Sequence, residues 1–385
     1  MVAARLRGTE ACRDDTVPLR RSVASGGAAA PVLSRCRRAG RLLRAVVSGN
    51  ERAVARACSL LRAGAACALR ARLVVGPPSG GLLAWGSGGG ALVLNGVMSG
   101  HSHGDIDWAD RLTQLRMADA LDAEALAPVA RRLLGLVGER PAVVDVGCGA
   151  GGMSVLLARE LARRGGGTLV LFDATPKLLV EAERAVAEVA GESVEVVSLL
   201  GDLTDPALAV PAADLVWASG VVHHVGDQQA ALRTLAGLLR PGGVLAISEG
   251  GLEMRCLPWE LGVGRPGLEQ RLHAARASWF EAMRAGIPGS VAMPYGWPRA
   301  LREAGLQDVE SFGALIDHPM PGSDLLREYV VQRVGWFAES AGEWLDADDR
   351  AATATLTDPQ SPHFLGRRDD VYLFGAKAIH CGRLR

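Results

Sequence analysis

At 385 residues the chain has room for one large domain or two ordinary ones, and an apolar content of 49% is ample for a core. The formal charge is zero, yet residues 1–97 hold 15 arginines against 4 acids, so the remainder carries an excess of about eleven negative charges. That remainder has no basic stripe able to neutralise phosphates, which argues against a nucleic-acid partner. Seven cysteines contain no CxxC pair and no disulfide framework, which fits a reducing, cytoplasmic setting.

Residues 1–97 lack sustained periodicity and are punctuated by Gly, Ser and Pro, as in Gly76-Pro-Pro-Ser-Gly-Gly81. An Arg- and Ala-rich, acid-poor leader is compatible with an organellar transit peptide. Residues 73–100 are uncharged and long enough to span a bilayer, but their glycines with Pro77 and Pro78 oppose a lipid-facing helix. The preferred reading is an upstream extension translated from too early a start, or a disordered tail. Met98 then opens the segment Ser99-Gly-His-Ser-His-Gly-Asp105, where His101 and His103 lack a third ligand nearby and read as a solvated tail rather than a metal site.

Residues 108 to about 136 place Ala, Leu and Arg at helical spacing and read as two helices with Asp122 as the cap between them. After Pro141 a β-branched run reads as a buried strand, and Met153, Leu156, Leu157 and Leu161 mark a helix opening at about Gly151. Strand, glycine turn and helix make the corner of a doubly wound sheet, where ligands sit beyond the carboxyl ends of the strands. Gly147, Gly149 and Gly151 spell GxGxG, while Gly147, Gly149 and Gly152 equally satisfy the dinucleotide pattern GxGxxG. Asp145 separates the two: a carboxylate two residues before the first glycine points toward the ligand, unwelcome beside a pyrophosphate but suited to an ammonium or sulfonium. Cys148 reads as a small residue tolerated in the turn.

The stretch Val143-Val-Asp-Val-Gly-Cys-Gly-Ala-Gly-Gly-Met-Ser154 resembles motif I, (D/E)xGxGxG, of class I S-adenosylmethionine-dependent methyltransferases. The resemblance implies an α/β, Rossmann-like doubly wound sheet of about seven strands, mostly parallel with an antiparallel last strand. It implies S-adenosylmethionine as cofactor, with its methionine end at Asp145 and the glycine turn, and N-terminal helices folded over it. Trp108 is then a candidate to line the site, against an ordinary packing role.

Residues 168–172 form the second strand, ending on Asp173; Thr175 caps a helix with Pro176 at its first position. Asp173, with Ala174 beside it, offers two acceptor oxygens to the vicinal hydroxyls of a ribose. NAD enzymes place a carboxylate similarly, so this supports a nucleoside without choosing the cofactor. Val194, Val196 and Leu199 mark the third strand, and Gly201-Asp202-Leu203 after it resembles the family's adenine-side motif. Residues 214–218 form the fourth strand, which leads into Ser219-Gly-Val-Val-His-His-Val225. Neither the (N/D/S)PP(Y/F) box of amide and base N-methyltransferases nor a Pro-Cys nucleophile is present; the His-His pair resembles small-molecule enzymes. Ser219 is assigned to the cofactor side and His224 is the candidate general base, against a structural histidine satisfied by backbone; His223 ranks below it. Asp227 caps the next helix, and Arg240-Pro-Gly-Gly243 turns into a fifth strand at residues 244–248, a join that resembles a family hallmark.

The rest reads as residues 98–250 forming the cofactor-binding core with its N-terminal helices, 251–296 a cap insertion, and 297–385 the end of the sheet with a second helical cap insertion at about 318–368. The sixth and seventh strands fall at 307–312 and 370–376. Five tryptophans (Trp259, Trp279, Trp297, Trp336, Trp344) and four methionines (Met254, Met283, Met293, Met320) in this region suit either a pocket for an apolar or aromatic acceptor or the core of the cap itself. Glu249, Tyr295, His318, Tyr329 and His363 are polar candidates near the mouth, unranked by sequence. The expected activity is methyl transfer from S-adenosylmethionine to an O, N or C nucleophile of a small molecule, by positioning and in-line displacement, with no nucleic-acid or membrane partner and no metal. The alternatives are an NAD(P)-dependent oxidoreductase and a non-catalytic S-adenosylmethionine-binding protein. A chain beginning at Met98 should fold and bind the cofactor as well as the full chain; loss of the cooperative melting transition on that truncation would overturn the reading of residues 1–97.

Overall fold

The computed structural model describes residues 111–205 and 209–385, together with two short strands, Leu73–Val74 and Leu83–Ala84, that pair antiparallel. The readings made of residues 1–97 as an extension, of His101 and His103, and of Trp108 otherwise concern residues outside this set.

The first element is α1, Leu112–Leu134, a single unbroken helix where the sequence predicts two. Asp122 does not cap: its carboxylate pairs with Lys377 at 2.8 Å, so it has a tertiary partner and leaves the backbone helical. Leu126, Val129, Ala130, Leu133 and Leu134 form the stripe that α1 buries against the sheet.

The central elements alternate strand and helix: β1 Ala142–Val146, α2 Gly152–Arg163, β2 Gly167–Asp173, α3 Pro176–Ala187, β3 Val194–Leu200, β4 Ala213–Ser219, α4 Gln228–Gly237 and β5 Leu239–Arg255. Then come α5 Leu268–Gly286, α6 Trp297–Glu303, β6 Gln307–His318, α7 Asp324–Ala341, α8 Ala347–Thr357 and β7 Leu373–Arg383. One seven-stranded sheet runs β3-β2-β1-β4-β5-β7-β6, with β7 antiparallel to both neighbours and the pairings from β3 to β5 parallel. Helices cover both faces, which is why β1, β2 and β4 are apolar along nearly their whole length. Val143, Leu169, Leu171 and Leu215 pack under α1, α2 and α3, while Val144, Val170, Val216 and Ile247 pack under α4 and α6. The chain reverses direction of progress across the sheet between β1 and β4, and there the loops leaving both strands meet.

The Arg240-Pro-Gly-Gly243 join sits within the β5 ladder rather than before it, and register slips between Ala213 and Leu215 to absorb it. Asp214 Oδ2 accepts from the Ala142 amide at 2.7 Å and from Arg240 Nη1 at 2.6 Å, tying the feet of β1, β4 and β5 together. A Cβ on Gly243 would lie 2.9 Å from Arg240 O and 3.2 Å from both Ala213 O and Asp214 O, so glycine is required by backbone on three sides.

The sequence ends the fifth strand at Ser248; the structure carries it to Arg255. Gly250 and Gly251, at φ 72° and 130°, bend the strand, and β7 continues to pair with it, Gly251 opposite Lys377 and Leu252 opposite Ala376. β6 likewise runs on to His318, and β7 occupies Leu373–Arg383 rather than 370–376. On this extension rests a second core built from α5, α7 and α8, in which Leu268, Leu272, Ile316, Leu326, Val330, Val334, Phe337 and Leu356 are buried. Trp279 and Trp336 meet edge to face at 5.5 Å on its margin, whereas Trp297 packs beside α4 and Trp259 is largely exposed. These four tryptophans are therefore distributed over the cap and the sheet.

Gly243→Ala should lower stability by about 1–3 kcal/mol because backbone cannot move aside. Gly335→Ala in the interior of α7, where a Cβ meets nothing within 4 Å, should leave the melting temperature unchanged or raise it. Equal melting temperatures for the two variants would contradict the packing at the join.

Candidate functional site

The glycine bend after β1 hangs from β2, because the amides of Gly147 and Cys148 both donate to Phe172 O, at 2.8 and 3.1 Å. Its glycines serve different ends. A Cβ on Gly147 (φ 64°) would strike Val221 Cγ2 at 2.3 Å, and one on Gly151 (φ 94°) would approach the α3 backbone at Ala182 Cα to 2.9 Å. Gly149 (φ 55°) opens onto free space, so the bend is closed on two sides and accessible on the third.

Carboxylates gather around it. Asp145 is buried and accepts from Ser154 Oγ at 2.5 Å. Burial pushes its carboxyl up to about 7; Ser154 opposes this, and the charges of Asp119 and Asp173 add to it. The sequence has this side chain pointing toward a ligand; the structure encloses it beneath the bend, satisfied by the hydroxyl at the head of α2. Asp119, which the sequence does not single out, reaches over from α1 so closely that a Cβ on Gly152 would meet its Oδ1 at 2.2 Å. Burial, then the neighbouring Asp122, raise the Asp119 carboxyl to about 6, against the pull of Lys377 and the Gly152 amide. Cys148 lies among these acids, and burial with their charges drives its thiol well above the ordinary range, which disfavours a thiolate nucleophile.

Asp173, at the end of β2, accepts from the Gly149 amide through Oδ2 at 2.9 Å and from the Thr175 amide through Oδ1 at 2.8 Å. It therefore pins the bend through both of its carboxylate oxygens. Ala174 follows it, half-buried. After β3, Gly201 N donates to Asp173 O at 3.1 Å, bringing the next turn alongside. There Asp202 Oδ1 accepts from Thr204 N and Thr204 Oγ1, each at 2.8 Å, and Leu203 is buried in the apolar cluster with Phe172 and Val222. Ser219 ends β4, and Gly220 N beyond it donates to Ser248 O at 3.0 Å. The structure thus brings Asp145, the glycines, Asp173, Ala174, Asp202, Leu203 and Ser219 to the carboxyl ends of four adjacent strands.

The loop after β4 forms a short 3-10 turn, Val222–His224. Beneath it lies Glu249, buried at the bend of β5. Its Oε1 accepts from the amides of Val221 (3.0 Å) and Val222 (2.8 Å), and its Oε2 stands 2.7 Å from His223 Nδ1. The His224 ring rests against that of His223 at 4.1 Å, and Phe280 of α5 lies 5.5 Å from His223 on another side. Arg284 clamps the turn from α5, donating through Nη1 to the carbonyls of His223 and Val225, both at 2.7 Å, and through Nη2 to Gly226 O at 3.2 Å. A carboxylate fixed by two amides and aimed at one imidazole nitrogen sets the tautomer and orientation of that imidazole. The sequence ranks His224 first; the geometry gives this partner to His223. The missed signal is register: Ser219 pairs with Ser248, so the next residues of both strands face each other at one level.

Two of the other polar candidates are engaged elsewhere. Tyr295 Oη donates to Gln229 Oε1 at 3.1 Å, and His318 Nε2 lies 2.7 Å from Leu121 O.

Comparison with known proteins adds the following. Residues 144–245 match the family profile described as Methyltransferase domain. Over 252 residues the chain is 32% identical to nocamycin O-methyltransferase of Saccharothrix syringae, covering 61% of this chain and 84% of that one. It is 34% identical over 142 residues to trans-aconitate 2-methyltransferase of Methylobacterium nodulans, covering 37% of this chain and about half (49%) of the relative. Among solved structures it resembles an S-adenosylmethionine-dependent methyltransferase of Thiobacillus denitrificans in complex with S-adenosyl-L-homocysteine, at 17% identity and a TM-score of 0.36, over 66% of this chain and 90% of that one.

Asp145 and Asp119 both stand above the ordinary carboxylate value of 3.8 in the folded chain. The folded state therefore holds more protons than the unfolded one between about pH 4 and 7, and stability present at the acid end is lost as pH rises through that window. The melting temperature of the ligand-free protein should fall between about pH 5.5 and 7.5, the window of the two raised groups, and Asp145→Asn should flatten the slope. A wild-type slope of the opposite sign, or one unchanged in the variant, would show that these carboxyls are not shifted upward.

Proposed function

This chain belongs to the class I S-adenosylmethionine-dependent methyltransferases, and from that premise we propose that it methylates an oxygen of its small-molecule acceptor, with His223 as the general base. Family membership displaces the nicotinamide oxidoreductase and the non-catalytic binding protein as alternatives. The bend fits this cofactor on its own chemistry. The charges of Asp119 and Asp173 add to the effect of burial on Asp145, so acidic groups collect about the bend in an arrangement that favours an ammonium or sulfonium and opposes a diphosphate. Gly149 leaves the open side of the bend clear for a ligand. When bound, S-adenosylmethionine supplies a sulfonium-activated methyl group.

The chain's own residues then divide the work. The amides at the head of α2 meet the methionine carboxylate, while Asp145 acts from beneath through its field and through Ser154. Asp173, with Ala174, holds the ribose; Asp202 and Leu203 take the adenine; Ser219 borders the methyl side. His223 donates its Nδ1 proton to Glu249, which leaves Nε2 to accept the proton that an acceptor hydroxyl loses as it is methylated. Holding donor and acceptor in line and excluding water supplies most of the acceleration.

The observation that carries the reading is the 2.7 Å contact between His223 Nδ1 and the buried Glu249. Relatives named as O-methyltransferases, of nocamycin and in ubiquinone biosynthesis, support oxygen over nitrogen or carbon as the accepting atom. The acceptor is read as apolar or aromatic from Phe280, Trp279 and Trp336 on this side. The setting is read as cytoplasmic and without membrane or nucleic-acid partners. In support, Cys148, Cys256 and Cys381 are unpaired, and among the described residues no helix is long and apolar enough to cross a membrane.

With a panel of phenols, alcohols and hydroxy acids read by mass spectrometry, His223→Ala should lower the methylation rate about a hundredfold or more, with cofactor affinity unchanged. His224→Ala should cost less than about tenfold. Glu249→Gln should fall between them and change the pH profile. A larger loss for His224→Ala than for His223→Ala would return the role to His224.

A further inference from the structure

Two arginines of the cap, Arg276 and Arg333, are held less tightly than those that clamp its helices and loops. Arg284 holds three carbonyls, Arg271 grips both oxygens of Asp349, and Arg368 both oxygens of Asp370. Arg276 has one long hydrogen bond, Nη1 to Glu253 Oε1 at 3.4 Å, and Arg333 one to Met254 O at 3.3 Å, while Arg333 also lies over the Phe337 ring at 5.0 Å and bonds the Cys256 thiol. Arg333 Nε is buried with no hydrogen-bond partner, and so is Nη1 of Arg255 close by, 3.9 Å from Glu269 Oε2. The acids of this group are shared: Glu253 also lies 3.0 Å from His273 Nδ1, and Glu269 Oε1 is taken by the Cys256 amide at 2.7 Å. Burial works against the Arg276 guanidinium; the charge of Glu253 opposes this, and the like charge of Arg333 adds to it. A buried donor left unpaired costs more than a paired one returns, so a cationic pair kept in this state is incomplete by itself.

Its position gives it a use. Glu253, Met254 and Arg255 lie on the extension of β5 just past Glu249. α5 carries Phe280 against His223 and Arg276 one turn earlier, with Trp279 between them in sequence. Trp336 of α7 meets Trp279 edge to face at 5.5 Å and stands 5.6 Å under the Arg276 guanidinium. One wall therefore runs from the proposed base, along aromatic rings, to two underbonded guanidiniums. Resting on the assignment of His223 to the acceptor side, we propose that Arg276 and Arg333 bind a carboxylate of the methyl acceptor. Its apolar body lies against Phe280, Trp279 and Trp336, and its hydroxyl faces His223. Planar guanidiniums suit a carboxylate because paired N–H groups match its two oxygens.

The test uses the full chain saturated with S-adenosylhomocysteine, titrated calorimetrically with 2-naphthoate and with its neutral isostere 2-naphthamide. The acid should bind at least about tenfold more tightly than the amide, and Arg276→Gln with Arg333→Gln should abolish that preference while leaving S-adenosylhomocysteine affinity unchanged. Arg276→Lys, which keeps charge but not the fork, should retain part of it. A wild-type protein that responds alike to acid and amide, including by responding to neither, overturns the proposal, as does a preference that survives in the double variant. Failure to bind S-adenosylhomocysteine would instead count against the cofactor assignment, and a larger loss for His224→Ala in the methylation assay against that of the base, so the failures are distinguishable.

Discussion

The burial of Asp145 and Asp119 beside a single backbone bend is the constraint on which this site depends. Burial raises both carboxyls; the charges of Asp119 and Asp173 add to the rise at Asp145, and that of Asp122 to the rise at Asp119. The fold tolerates this because every carboxylate also has a structural task. Asp145 receives the Ser154 hydroxyl at the head of α2, Asp119 sits over the Gly152 end of the same helix, and Asp173 pins the bend by two amides. What remains is a negative field in a low-dielectric setting, where a cation is favoured far more than in water.

The second half of the site comes from a different device. Glu249 and the turn holding His223 belong to neighbouring parallel strands in register, so the carboxylate meets both the turn's amides and its imidazole. α5 then closes over the turn, with Arg284 on its carbonyls and Phe280 beside the ring. The same helix carries Arg276 into the cap, so one element connects the His223 turn with the cap arginines. The cap has its own core on the extended ends of β5, β6 and β7, separate from the packing beneath the glycine bend.

The Arg-Pro-Gly-Gly join shows how a local sequence pattern acquires its meaning from distant backbone. Gly243 is needed because Ala213 and Asp214 pass beside it, and Asp214 in turn fastens Ala142 and Arg240. The motif thereby sets the level at which β4 and β5 lie side by side, and that level decides where Glu249 falls relative to His223.

The alternation of β-branched runs with 3.6-periodic stripes, the glycines after Val146 and the acid at the end of β2 were legible in the sequence, because each depends on a few neighbouring residues. They determined the doubly wound sheet, the order of its first five strands and the family resemblance. Asp119 was not legible, since nothing near it in the chain announces that α1 folds over the bend. One continuous α1 replaced two helices because Asp122 found Lys377 in β7, 255 positions along the chain by its numbering. The pairing of His223 with Glu249, the enclosure of Asp145 and the surroundings of Arg276 and Arg333 were likewise decided only in three dimensions. Side-chain partners and burial are set by elements remote in sequence, whereas strand, turn and helix are set by residues close at hand.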